Sequence, residues 1–224
     1  MDRNLKALII GSTGGIGREL VKELLKSNQW SEVHVIVRRE LEAWSKLSYE
    51  QKNKLVIHKV DGLEILRDQT KLPKFQGLNA IFCTLGAEQK DGKENFIKVD
   101  KEFPLLSADL AIQNNIPQYH IVTSQMSDKS SMFLYLKIKG EVEYELSQKG
   151  FQYLGIYRPG LLLQREQPRL IERLCSYIPF IKKVDVQNIA VTMRKQAEKN
   201  IQFTQNKTEY FENNEIINIS QNKN

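Results

Sequence analysis

The sequence predicts an α/β protein: a doubly wound, mainly parallel sheet with helices on both faces and a small C-terminal region to one side. Short β-branched runs alternate with amphipathic stretches, the pattern of βαβ units. The first such run ends in glycines spaced three apart, directly before the first amphipathic stretch. The length, 224 residues with 41% hydrophobic and 27% charged, suits one well-buried core without staples.

The first strand candidate, residues 7–10, is the apolar run Ala-Leu-Ile-Ile, too short to span a bilayer and without a cleavage site. The helix candidate at 16–26 carries Ile16, Leu20 and Leu24, with Val21 and Leu25 beside them, an i, i+4 stripe that must face a sheet. Strand candidates follow at 33–37, 55–60, 80–84, 120–123 and 153–157, and helix candidates at 41–49, 96–113 and 133–148. After Gly160 the rhythm changes to helix candidates at 168–177 and 186–199 and a polar tail ending in a frayed "QNKN". No repeat and no Pro/Gly/Ser linker divides the chain, so one domain is expected across 1–224, with 161–224 forming substrate-side helices and tail.

Composition removes several functions. The formal charge of +6 comes from 33 basic residues interspersed with 27 acidic ones, which gives a solvated mixed surface rather than a nucleic-acid stripe. Cys83 and Cys175 are far apart and read as reduced thiols of an intracellular, cytoplasmic protein without an integral membrane segment. His34, His58 and His120 sit in strand candidates with no metal-ligand spacing among them or the cysteines.

The turn "GSTGGIG" comprises Gly11, Ser12, Thr13, Gly14, Gly15, Ile16 and Gly17, where strand becomes helix. A pyrophosphate at a helix N-terminus is held by free backbone amides and the positive end of the helix dipole, and glycines let the backbone come close. In this setting the string is the fingerprint of a Rossmann dinucleotide fold. The second strand then ends in Arg38 and Arg39, where a carboxylate usually binds the ribose of NAD. A guanidinium there pairs with the 2′-phosphate of NADP(H); two surface arginines are the bland alternative. Asp61 and Gly62 after the third strand, and Thr84, Leu85 and Gly86 after the fourth, fit either the adenosine side of the crevice or ordinary turn chemistry.

Tyr135 and Lys139 lie one helical turn apart in "YLKIKGE" and so share a face. A phenol with an ordinary pKa near ~10 is a poor proton donor at neutral pH unless a cation stabilises its phenolate, and Lys139 supplies one. Composition alone produces such a spacing by chance, so its placement decides: the pair opens the helix after the fifth strand, and Ser124 ends that strand. Ser124 is thus positioned to hydrogen-bond a substrate carbonyl or alkoxide. A non-catalytic dinucleotide-binding regulator or accessory subunit uses overlapping residues and is the rival from another class.

Together these features resemble the short-chain dehydrogenase/reductase superfamily, in its atypical branch with a Gly-x-x-Gly-x-x-Gly turn. More narrowly, residues 11–199 are similar to the HIV Tat-interacting-protein oxidoreductases, through "GSTGGIG", "VIVRRE", "CTLG", "VDKEF", "DKSSMFLYLKIKGEVE" and "YRPGLLL". The resemblance implies NADP(H) as cofactor, a small-molecule substrate, and a catalytic set of Ser124, Tyr135 and Lys139. It also implies that Arg158, Pro159 and Gly160 lie near the nicotinamide. Thr123 stands where the family often has a second serine, leaving two hydroxyls as candidates to face the substrate.

Overall fold

The computed structural model describes residues 4–87, 92–163, 183–201 and 206–222. The central strands are β1 (Leu5–Ile10), β2 (Trp30–Val37), β3 (Leu55–Lys59), β4 (Ala80–Cys83), β5 (Gln118–Val122) and β6 (Tyr153–Arg158). A short pair, β7 (Leu161–Leu163) and β8 (Lys183–Asp185), stands apart, and β9 (Lys207–Glu212) returns to the main sheet. The sheet order is β3-β2-β1-β4-β5-β6-β9 with every pairing parallel. The chain winds outward from β1 to β3, then crosses back to β4, so the order reverses between β1 and β4. In open parallel sheets that reversal opens a crevice at the carboxyl ends of the strands.

Burial explains the layers. Along β1, Ala7 and Ile9 face one side of the sheet and Leu8 and Ile10 the other, the period of two that a strand covered on both faces requires. Helix α1 (Gly15–Lys26) lays Leu20, Val21 and Leu24 on the first side, as its stripe predicts. On the opposite side pack α5 (Phe103–Gln113), which follows the short α4 (Lys93–Ile97), and α6 (Leu134–Ser147). No described helix is long and apolar enough to cross a membrane.

Several expectations need correction. The helix expected at 41–49 is two pieces, α2 (Glu42–Ser45) and α3 (Tyr49–Lys54), because Ser48 starts a new helix through a reciprocal capping box with Gln51. The helix expected from 96 begins at Lys93 and is interrupted by a π-helical turn, Lys98–Glu102. The helix α7 (Val186–Lys199), expected on the substrate side, packs on the sheet beside α1 through Ile189, Ala190, Met193 and Ala197. The tail is not simply polar, for β9 extends the sheet and α8 (Asn213–Gln221) buries Ile216 in the same core. The candidate helix at 168–177 and Cys175 lie outside the described residues.

Candidate dinucleotide and catalytic site

The glycine turn joins β1 to α1 at the carboxyl end of the sheet. Gly11 has φ +89°, a left-handed conformation natural to glycine, and Gly14 donates its N–H to the Gly11 carbonyl at 3.0 Å. A Cβ at Gly17 would lie 2.2 Å from the Gly11 oxygen, so this glycine permits the turn to close on the helix. Gly14 differs, because a Cβ there meets only the Gly11 oxygen at 3.4 Å, and the residue is exposed beside exposed Thr13. Gly15 and Ile16 begin α1, and Ile16 is buried. Ser12 is buried at 1% exposure and its hydroxyl has no hydrogen-bond partner among the described residues. An orphaned hydroxyl and unblocked amides at a helix N-terminus fit a phosphate group.

The neighbouring strand ends converge on this turn. Thr84 Oγ1 donates to the carbonyls of Ile10 and Gly11 at 3.3 and 3.1 Å, so its side chain braces the turn. Leu85 packs into the core and Gly86 is exposed. Arg38 and Arg39 are exposed past β2, without an ion-pair partner among the described residues, and Asp61 is exposed past β3. Gly62 opens a 3-10 turn, Leu63–Arg67, and is covered by the Glu64 carboxylate.

Tyr135 and Lys139 share a face of α6 as predicted. Lys139 is buried and its Nζ lies 2.7 Å from Asp100 Oδ1, in the π-helical turn. Burial works against its charge, but the Asp100 carboxylate and then Tyr135 outweigh it, and the Lys139 pKa is raised above its ordinary value. Asp100 also accepts the backbone N–H of Ala87 at 2.6 Å, tying the lysine to the loop after β4. Tyr135 is half-buried and stacks on Phe96, ring centroids 5.7 Å apart.

The two hydroxyls differ in their neighbours. Thr123 is buried and donates to Glu143 Oε1 at 2.6 Å. The hydroxyl of half-buried Ser124 makes only a 3.2 Å contact to the adjacent Gln125 carbonyl among the described residues, so it is the less committed of the two. The loop after it folds back on α6: Asp128 donates to the Leu136 carbonyl at 3.1 Å. A Cβ at Gly140 would lie 2.2 Å from the Lys129 nitrogen, so only glycine permits this approach.

Arg158 does not present its guanidinium freely. It forks onto Glu143, at 2.5 and 3.1 Å, reaches Glu212 at 3.2 Å, and lies over the Tyr210 ring. The backbone of the turn is engaged as well. Pro159 accepts from Gln125 at 2.9 Å, and Gly160 donates to Asn213 Oδ1 at 2.8 Å. Sequence reasoning missed Asp100, Glu143 and Asn213. Glu143 had a signal, since it follows Lys139 by one helical turn; Asp100 showed only as an acid within an apolar helix.

Comparisons with known proteins give the family and the fold. The family described as NAD(P)H-binding matches residues 11–199, and the chain belongs to that family, with a Rossmann-like α/β fold. It is a homologue of protein HTATIP2 from Rattus norvegicus, 37% identical over 169 residues, which are 75% of this chain and 67% of the relative. Protein FMP52, mitochondrial, from Debaryomyces hansenii is 32% identical over 165 residues, 73% of this chain and 69% of the relative. Among solved structures, ElxO with NADP bound superposes with a TM-score of 0.66 over 95% of this chain and 99% of that one, at 16% identity, a likeness of fold.

Proposed function

We propose that this chain is an NADP(H)-dependent oxidoreductase acting on a carbonyl or alcohol group of a small molecule, folded as one domain across 1–224. One observation carries the reading: α6 presents Tyr135 and a buried, charged Lys139 from one face, next to the strand end where Ser124 keeps its hydroxyl available. The residues of the turn from Gly11 to Gly17 would hold the pyrophosphate, and Arg38 or Arg39 the 2′-phosphate. The cofactor, when bound, supplies or accepts the hydride.

The rest belongs to the protein. In the reducing direction the Tyr135 hydroxyl donates its proton to the carbonyl oxygen, the Lys139 ammonium stabilises the phenolate left behind, and Ser124 donates a hydrogen bond to the same oxygen. Asp100 holds Lys139 in place. In the oxidising direction the phenolate takes the proton back from the alcohol. A cytoplasmic location belongs to this reading; the fungal relative's name, which says mitochondrial, makes attachment to that organelle the alternative, and cell fractionation decides.

Tyr135→Phe is the test, because it removes one hydroxyl and leaves the cofactor turn untouched. NADPH at a hundredfold excess over its Kd should stabilise parent and variant alike by about 2.7 kcal/mol, a melting shift of roughly 5 to 11 °C. Consumption of NADPH against a panel of ketones, aldehydes and quinones should fall by ~10² to 10⁴ in the variant. Undiminished turnover in Tyr135→Phe overturns the catalytic assignment, and a parent that binds NADPH yet reduces nothing on the panel favours a non-catalytic NADPH-binding regulator.

A further inference from the structure

Helix α4 and the π-helical turn that continues it meet α6 in step. Phe96, buried at 1% exposure, stacks on the Tyr135 ring, with centroids 5.7 Å apart and planes 29° from parallel. Four residues further along both segments, Asp100 Oδ1 meets Lys139 Nζ at 2.7 Å, and both side chains are buried. The step from Phe96 to Asp100 thus matches the step from Tyr135 to Lys139, and each catalytic side chain has its own partner on the facing segment. Ala87, Phe96 and Ile138 form a small core against which Tyr135 packs.

Asp100 makes more than one bond, for its Oδ2 accepts the Ala87 N–H at 2.6 Å while Oδ1 faces the ammonium. A donor on each oxygen is the arrangement of an ionised carboxylate. The next residue of the turn faces the rim instead. Lys101 Nζ reaches Glu141 at 2.7 Å and Glu145 at 3.0 Å, and all three side chains are partly exposed. These ion pairs join the same two segments and involve neither catalytic side chain, so packing of the segments and aiming of the pair fall to different residues.

We infer that Phe96 and Asp100 are positioning residues of the catalytic pair: Phe96 sets the plane of the Tyr135 ring, and Asp100 holds the Lys139 ammonium while its negative charge keeps the proton on Tyr135. The inference rests on the oxidoreductase reading and adds to it the two residues that aim the pair and set its working pH range. The charged and titratable groups facing Lys139 are Asp100 in the π-helical turn, Tyr135 on α6 and the Cys83 thiol at the end of β4. Glu143, one turn further along α6, is committed to Thr123 and Arg158.

The sign follows from the charges. Lys139 by itself draws the proton off Tyr135, because an ammonium stabilises a phenolate; Asp100 opposes it, because a carboxylate beside the pair makes proton loss from either partner harder. Burial counts against the ammonium, yet Asp100 and then Tyr135 raise the Lys139 pKa above its ordinary value. The pair therefore keeps both protons to a higher pH with Asp100 than without it, and the first midpoint belongs to the pair as a unit. Reduction needs the Tyr135 proton, so removing the carboxylate moves the alkaline limit of turnover down.

The experiment follows labelled tyrosine rings by NMR as pH rises, with Tyr135 assigned by its loss in Tyr135→Phe, in parent, Asp100→Asn, Asp100→Glu, Phe96→Leu and Lys101→Met. The first midpoint seen at Tyr135 should fall by about one pH unit or more in Asp100→Asn and stay near the parent's in Asp100→Glu and Lys101→Met. The alkaline limit of NADPH consumption on the carbonyl panel should move with it. In Phe96→Leu the Tyr135 ring signals should lose the displacement caused by the stacked ring, and kcat should fall about tenfold or more at an unchanged NADPH Kd, whereas Lys101→Met keeps both. An unmoved midpoint in Asp100→Asn, unmoved ring signals in Phe96→Leu, or a kcat loss in Lys101→Met equal to that in Phe96→Leu overturns the inference. If Asp100→Asn does not fold, the contrast between Phe96→Leu and Lys101→Met decides. A parent without turnover overturns the oxidoreductase reading alone, because midpoint and ring signals are read without substrate.

Discussion

Gly14 and Gly17 stand three residues apart in the same turn, yet a side chain at each meets different surroundings. At Gly17 the added carbon would overlap the Gly11 carbonyl at 2.2 Å, backbone against backbone, and the helix cannot shift without leaving its sheet. Gly17→Ala should therefore destabilise the fold by about 1 to 3 kcal/mol or more, read as a lowered midpoint in urea without any ligand. At Gly14 the nearest atom is 3.4 Å away and the residue faces outward. Gly14→Val should keep most of the parent's stability and lose NADPH binding, because its side chain occupies the approach to the helix amides. Full NADPH affinity in Gly14→Val would move the cofactor elsewhere. A similar contrast separates adjacent hydroxyls: the sequence left Thr123 and Ser124 equivalent, and the buried Glu143 carboxylate distinguishes them by claiming Thr123.

Helix α6 owes its orientation to two ion pairs on one face. Lys139 reaches across to Asp100, and Glu143, one turn on, reaches the Arg158 guanidinium at the end of β6. Asp100 stands where the π-helical turn inserts itself before α5, a local irregularity of the kind found at functional sites. Removing its charge leaves a buried ammonium without a counter-ion, so Asp100→Asn should cost about 3 to 5 kcal/mol in denaturant unfolding. Pairing it with Lys139→Met removes the orphaned charge as well and should recover much of that loss. A double variant no more stable than Asp100→Asn would show that the pair is not the source. Long, strongly periodic elements such as α1 and α7 were legible, since their apolar spacing admits one geometry. Strand β9 was not: its sequence "KTEYFE" is mostly polar, and among its residues only Phe211 is buried, as suits an edge strand.

Across the middle of the molecule, His120 on β5 is fully buried against Tyr157 Oη and Gln118 Oε1, both at 3.0 Å. Burial lowers its pKa to about 3 from 6.5, so the folded protein refuses a proton that the unfolded chain accepts. As pH falls below 6.5 the unfolded state gains protons and stability is lost, by about 2 kcal/mol at pH 5, until the loss levels off near pH 3. Urea titrations at pH 7 and pH 5 should show this loss in the parent and a smaller one in His120→Gln. Equal losses would assign the acid sensitivity to other groups.

The amino-acid order by itself determined the alternation of strands and helices, the glycine turn between the first two, and the shared face of Tyr135 and Lys139. These are local matters, set by apolar period, by turn chemistry and by the 3.6-residue helical repeat. Only the tertiary structure decided that Asp100 is the counter-ion of Lys139, that Arg158 is committed to Glu143 and Glu212, and that residues 207–221 complete the sheet and its core. Each of these joins groups far apart in sequence, and which charges meet in a low-dielectric interior depends on how the layers pack, information that no local spacing carries.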